Sequence, residues 1–169
     1  SADKADLFGG RHPTDPEHNP DYILEVKHLK KYFPLGTNAV GRATSYLRAV
    51  DDVSFRVRPG TTVGIVGESG CGKTTMGRTI MRLYSVTGGK AIFKGVDLAT
   101  LSAGELRSVR PKLQMIFQDP YSSLSPRMPV GEIIGEAVRV HKIVPQSEHK
   151  QYVLKVMEEC GLPAHYYDR

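Results

Sequence analysis

The sequence predicts an α/β fold: a core of buried strands alternating with helices, preceded by a smaller antiparallel sheet. Three observations point there. Residues 62–66, Thr-Val-Gly-Ile-Val, form a short run with little polarity, the pattern of a strand covered on both faces. A glycine-rich stretch from Gly67 to Gly72 follows, and then Met76, Ile80 and Leu83 recur at helical spacing with Met81 beside them. Before this unit, apolar alternation occurs twice. The first run is Leu24 and Val26 with Leu29 after them; the second is Val53, Phe55 and Val57, stopped by Pro59-Gly60.

The remaining elements follow in order. Residues 1–20 are polar, carry Pro13, Pro16 and Pro20, and read as a disordered tail. The first strand is expected to run to about Leu29, and residues 34–46 to form a loop or long hairpin connection. Gly88-Gly89 closes the helical unit, Ala91-Ile92-Phe93 is a short strand and Lys94-Gly95 a turn. Ser102 and Glu105 have the S-x-x-E form of a capping box, so a helix starts there. Leu113, Met115, Ile116 and Phe117 give another buried strand, and 120–129 is loop. Val130, Ile133, Ile134, Ala137 and Val138 mark one helix face. A last helix has Ser147 as N-cap, Tyr152, Val153, Val156, Met157 and Cys160 on its apolar face, and Gly161 at its end.

Composition bounds the function. The chain has 169 residues, and no apolar run approaches the 18 or so that a membrane span needs. Its first ten residues lack the basic start and apolar stretch of a signal peptide. Two cysteines, Cys71 and Cys160, cannot build a disulfide framework, which favours a reducing compartment. The formal charge of +5 suits an anionic ligand or an anionic membrane surface. Its Lys and Arg residues are scattered without aromatic interleaving, so no nucleic-acid partner is expected.

The strongest local signal is Gly67-Glu68-Ser69-Gly70-Cys71-Gly72-Lys73-Thr74, which fits G-x-x-x-x-G-K-[ST]. Glycines allow backbone angles that side chains forbid, so successive N–H groups can turn inward and cradle phosphate oxygens. The following helix adds its positive N-terminal dipole. Lys73 supplies a full charge to the outer phosphates. The Thr74 hydroxyl can ligate Mg²⁺, and Thr75 is placed to reach the α-phosphate. Cys71 reads either as a small residue filling an unselective loop position or as a redox-sensitive thiol near a helix N-terminus.

Two strands and the aromatic pair Tyr32-Phe33 precede this loop, whereas a small nucleotide kinase would open with it. Gln118 follows the strand at 113–117, and Gln118-Asp119-Pro120-Tyr121-Ser122-Ser123-Leu124-Ser125-Pro126-Arg127 comes directly after. With these residues in place, the sequence resembles the ATP-binding subunits of ABC transporters over about residues 22–169. More narrowly it resembles the dipeptide and oligopeptide importer branch. VGESGCGKTT is similar to that branch's phosphate loop, FQDPYSSLSPR to its Q-loop with an extension, and GLPAHYYDR to the stretch leading into the ABC signature. Related nickel importers share the segment from Phe117 to Arg127.

The resemblance implies an incomplete P-loop NTPase (ABC ATPase) core, with an N-terminal antiparallel β subdomain and the start of a helical subdomain. It divides the chain into a tail (1–20), the core with the phosphate loop (21–119), and the Q-loop extension with the helical start (120–169). It implies ATP and Mg²⁺ as ligands, held by Gly67, Glu68, Ser69, Gly70, Cys71, Gly72, Lys73, Thr74 and Thr75. Phe33 would stack on adenine, with Tyr32 as second choice. Lys73 and Gln118 would serve the chemistry, and Thr74 and Gln118 the metal. The segment from Pro120 to Arg127 would face transmembrane permease subunits, and a second ATPase subunit would complete the site. The location implied is peripheral, on the cytoplasmic face of the membrane. The family's signature, its Asp-Glu strand end and its switch His have no counterpart here, so the 169 residues are expected to bind nucleotide without turnover. A non-catalytic nucleotide-binding or interaction half-domain and an importer of nickel or another small solute are the alternatives.

Overall fold

A computed structural model describes residues 12–38, 40, 41, 43–119 and 124–169. Two compact units result, one extending to Gln114 and the other Met115–Arg169. The first is built on an antiparallel sheet of four strands in the order β2-β1-β3-β4. Its strands are β1 (Leu24–Thr37), β2 (Ala43–Val57), β3 (Gly88–Phe93) and β4 (Val96–Asp97). Helix α1 (Lys73–Ile80) and helix α2 (Ala103–Val109) belong to the same unit. Val26, Leu29, Val50, Met76, Ile80, Ala91, Phe93, Leu98, Leu101 and Val109 form its core.

The hairpin is longer than alternation alone predicts. Residues 34–37 stay in β1 and pair with 43–46 of β2, so most of the expected connection is strand. Pro34 is tolerated because β3 pairs with β1 only as far as Lys30, leaving that side of Pro34 without a partner strand to receive an N–H. The register slips near the middle, where His28 (φ 50°) and Asp52 (φ 58°) both take left-handed backbone. Their side chains meet, His28 Nδ1 to Asp52 Oδ1 at 2.7 Å, and Ser54 Oγ accepts the His28 N–H at 2.8 Å. This paired bulge bends the hairpin. Beyond it Leu29 and Val50 are buried in the core.

Gly88 and Gly89 open β3 instead of closing the preceding helix. Gly89 has φ +78°, and a Cβ there would sit 2.1 Å from the His28 carbonyl oxygen. The expected N-cap of α2 is present. Ser102 accepts from the Glu105 N–H, and the Ser102 N–H donates to Glu105 Oε2 at 2.8 Å. Bonds from the Ser102 hydroxyl and backbone, with His12 added, hold the Glu105 carboxyl down at about 2.

Residues 12–20, expected to be part of a loose tail, lie on the outer face of the sheet. Glu25 pairs across the ladder with Ile92 and both are fully buried, although alternation assigns Glu25 to solvent. The segment covers them. His18 Nδ1 bonds Glu25 Oε2 at 2.7 Å, the Asn19 N–H donates to the same oxygen at 3.0 Å, and the Asp15 N–H donates to the Gly95 carbonyl at 2.7 Å. Asp15 and Glu17 both take Lys90 at 3.0 Å. Burial pulls the Glu25 carboxyl upward. The bonds from His18 and Asn19 and the charge of Lys27 outweigh it and leave the group below its ordinary 4.5.

Two expected parallel strands are absent from the described residues. Residues 62–66 have no ladder partner, with Val66 94% exposed, and 113–117 have none either, with Ile116 97% exposed. The reason is non-local: a strand buried on both faces exists only where neighbouring strands take its N–H and C=O groups. The boundary between the two units also falls inside the second of these runs.

The second unit packs α3 (Val130–Val140) on α4 (His149–Glu159) around Val138, Val153 and Met157. The two glycines of α3 are contact seats. A Cβ on Gly131 would be 2.5 Å from the Tyr167 ring, and one on Gly135 would be 2.5 Å from the His149 ring. Pro129 offers no side-chain cap to α3; the carbonyls of Arg169 and Tyr167 accept from the N–H groups of Val130 and Gly131 instead. Helix α4 begins at His149 after a 3-10 turn, Gln146–Glu148, with no cap from Ser147. Cys160, expected in the core, is exposed because the helix ends beneath it.

Three of the helices end alike. After α1, α3 and α4 come Arg82 (φ 55°), Lys142 (φ 50°) and Gly161 (φ 73°). Each ending carries the paired 6→1 and 5→2 bonds, such as Leu162 N–H to Met157 O at 2.8 Å and Gly161 N–H to Glu158 O at 2.9 Å. Arg82 holds its strained backbone by donating from Nε to the Leu98 carbonyl at 3.0 Å.

Three outcomes are expected. Gly89→Ala adds left-handed strain and a backbone clash and is expected to cost about 2 kcal/mol or more in denaturant unfolding. Lys142 is exposed, so Lys142→Gly relieves the same kind of strain without disturbing the core. It is expected to stabilise by up to about 1 kcal/mol. Since folding lowers the Glu25 value, its contribution is whole at neutral pH and disappears as pH falls below 4.5 through the folded value. The acid-side fall in melting temperature is expected to flatten in Glu25→Gln.

Candidate functional site

The glycine-rich loop lies in the first unit, between residues 62–66 and α1. Gly72 is the N-cap of α1 in left-handed backbone, φ 98°. A Cβ there would stand 2.2 Å from the Ala49 carbonyl oxygen. Glycine is therefore required on two counts, backbone angle and close approach to β2. Gly70 is also left-handed, at φ 79°. Gly67 and Cys71 are drawn together, since a Cβ on Gly67 would be 2.7 Å from Cys71 Sγ.

Lys73 folds back inside the loop. Its ammonium donates to the Gly67 carbonyl at 2.6 Å and to the Glu68 carbonyl at 2.7 Å, and lies 3.5 Å from Cys71 Sγ. An ammonium has three N–H donors. Two are committed to the loop backbone and the third faces only sulfur, a weak acceptor that an anionic oxygen would displace. The backbone N–H groups of the first turn of α1 have no acceptor within the helix, and no acidic side chain stands in that turn. Thr74 is exposed and Thr75 half-buried. The donor set therefore fits phosphate oxygens.

A cleft of about 370 Å³ adjoins this loop. Ile65, Val66, Cys71, Gly72, Lys73 and Met76 line one part, and Arg48, Ala49, Val50, Asp51 and Val53 of β2 the rest. Apolar side chains line it together with the charged Arg48, Asp51 and Lys73, the usual character of a small-molecule site. A larger groove, about 610 Å³, runs along α4 in the second unit, but its lining holds no comparable convergence of donors.

The two candidate aromatics face different surroundings. The Phe33 ring packs edge-on against Tyr84, 5.4 Å between centroids, with Lys31 Nζ 4.7 Å over it. Tyr84 follows the far end of α1, away from the loop. Tyr32 pairs across the hairpin with Arg48, its hydroxyl donates to Asp51, and the Arg48 guanidinium lies 5.5 Å over its ring. The bond from Tyr32, helped by Arg48, holds the Asp51 carboxyl below its usual range; the same bond raises the phenol. Arg48 and Asp51 are invisible to sequence reasoning. Arg48 is revealed by its register opposite Tyr32 and Asp51 by the bond from the Tyr32 hydroxyl, neither of which a local pattern encodes.

Gln118 is in the second unit and exposed. Pro120, Tyr121, Ser122 and Ser123 of the expected docking segment lie outside the described residues; Leu124, Ser125, Pro126 and Arg127 are exposed. Among the described residues no helix is long and apolar enough to cross a membrane.

Comparison with known proteins identifies the frame. The chain is 46% identical over 145 residues to the oligopeptide transport ATP-binding protein AppF of Bacillus subtilis, an alignment covering 85% of this chain and 44% of that protein. It is 44% identical over 151 residues to OppF of the same organism, named likewise, covering 87% and 47%. It is 44% identical over 144 residues to the glutathione import ATP-binding protein GsiA of Escherichia coli K12, covering 85% and 23%. The chain thus spans less than half the length of these relatives. Among solved structures, the ATP-binding cassette MJ0796, a dimer in a post-hydrolysis state with ADP and Pi, superposes with TM-score 0.70 at 20% identity over 87% of this chain and 61% of that one. The cassette cbiO1 of Clostridium perfringens gives 0.64 at 21% identity, over 88% and 54%. The sequence model of the ABC transporter family matches residues 50–168, and the chain belongs to that family, with the fold of its ATP-binding cassettes.

Proposed function

We propose that this chain binds ATP with Mg²⁺ and powers an ABC-type importer of peptides. The observation that carries the reading is the loop closed around Lys73, with Gly72 seated on β2 beside a cleft of nucleotide dimensions. Gly67, Glu68, Ser69, Gly70, Cys71, Gly72, Lys73, Thr74 and Thr75 hold the phosphates. Lys73 offers its third N–H to the outer phosphates, and the Thr74 hydroxyl supplies one oxygen to the cation. The bound cation would neutralise charge developing on the β- and γ-phosphates. Tyr32 is preferred over Phe33 for the base, because its partners Arg48 and Asp51 line the cleft whereas Phe33 is engaged with Tyr84.

Further roles rest on family likeness. Gln118 contacts the cation or attacking water and reports nucleotide state. The segment from Pro120 to Arg127 meets the permease, and residues 120–169 begin the helical subdomain, after a core at 21–119. A second ATPase subunit faces the phosphate loop, and the complex sits on the cytoplasmic face of the membrane. Peptide as cargo is supported by relatives named for oligopeptides and for glutathione, itself a short peptide. For the 169 residues alone we favour binding without hydrolysis, since none of the 18 acidic residues ends an apolar strand where the reaction needs one.

Calorimetric titration tests this. ATP is expected to bind the wild-type chain, more tightly with Mg²⁺, and Lys73→Ala to weaken it at least about tenfold through removal of a charge-assisted bond. Phosphate release from the 169-residue chain is expected at background. Nucleotide binding indifferent to Lys73→Ala, or steady turnover, would overturn the reading.

A further inference from the structure

Arg48 and Asp51, which line the cleft, form an ionic cluster with Tyr32. Arg48 pairs with Asp51, Nη1 to Oδ2 at 3.5 Å, and lies over the Tyr32 ring at 5.5 Å. Asp51 takes the Tyr32 hydroxyl with its other oxygen. One carboxylate thus fixes both a guanidinium and a phenol. The Arg48 side chain is 68% exposed and that of Asp51 43%. An ion pair this open contributes little to stability, so stability does not explain it. Its position does have a reference point: Ala49, next to Arg48, carries the carbonyl on which Gly72 rests. Arg48 and Asp51 therefore line the same cleft as Gly72 and Lys73, beside the loop that would hold the phosphates.

We propose that Arg48 is the wall of the nucleobase subsite, stacking the open face of its guanidinium on the base while its other face rests over Tyr32, and that Asp51 is the positioning residue for both. This rests on the nucleotide-binding reading above and adds a specificity element to it. The neutralising carboxylate decides the ligand. With Asp51 at its side Arg48 attracts phosphate weakly, while the flat face of a guanidinium remains available for stacking. Such a wall accepts every base, since each presents a π-face. The subsite therefore selects a nucleoside triphosphate over bare polyphosphate without choosing between adenine and guanine.

The test is calorimetric titration of the 169-residue chain with ATP, GTP and inorganic tripolyphosphate. Arg48→Ala is expected to weaken ATP and GTP alike by about three- to tenfold, the scale of a single stacking interaction, and to leave tripolyphosphate unchanged. Arg48→Lys keeps the charge and removes the plane, and is expected to behave like Arg48→Ala. Asp51→Asn is expected to weaken both nucleotides and spare tripolyphosphate, a split that a merely structural role would not produce. Equal losses for tripolyphosphate would make Arg48 a phosphate ligand and overturn the proposal, as would rescue by Arg48→Lys or no change in any variant. If the wild-type chain binds none of the three, the nucleotide reading falls and this one with it. If binding depends on Lys73 but ignores Arg48, only this one falls.

Discussion

Everything at the candidate site depends on one close approach, the seating of Gly72 on the Ala49 carbonyl. Any side chain at residue 72 would strike that oxygen, and the left-handed turn there is what starts α1 directly after the loop. This seating joins three things that the sequence holds far apart: the helix that presents its N–H groups, the lysine that fills the loop, and the hairpin that carries Tyr32, Arg48 and Asp51. The paired bulge at His28 and Asp52 serves the same end from the other side, because it bends the hairpin before that point. Local strain is thus concentrated where the backbone of β2 must meet the loop.

What the sequence makes legible is local. The glycine pattern, the Ser102–Glu105 capping box and the left-handed ending at Gly161 each need only a few neighbouring residues, and each can be read without the fold. Residues 62–66 and 113–117 mislead for the opposite reason. Their composition suits a buried strand, but strand formation is decided by partners that periodicity does not name. Glu25 misleads similarly: alternation places it in water, and a segment preceding the strand carries His18 over it. The choice of Phe33 before Tyr32 comes from the family resemblance, and the register that sets Arg48 opposite Tyr32 lies beyond any local pattern.

The two halves of the described chain use different means of closure. In the first, a sheet face and two helices enclose aliphatic side chains, and glycines serve backbone approach. In the second, α3 and α4 meet through small residues under aromatic rings, Gly131 beneath Tyr167 and Gly135 beneath His149. A glycine in a helix loses stability relative to alanine, and here close packing offsets that loss.

The buried carboxylate of Glu25 has a consequence for how the molecule opens. Its Oε1 has no hydrogen-bond partner among the described residues, only Lys27 Nζ at 3.6 Å, and its other oxygen depends on His18 and Asn19. A charge left in that position without those partners is costly by several kcal/mol. Partial peeling of residues 12–20 is therefore penalised: the segment and the face of β1 and β3 that it covers part together or stay together. The segment behaves as a cooperative strand of the domain that happens to make no ladder, and a protease would meet it only in the rare state where the outer face of the sheet is already wet.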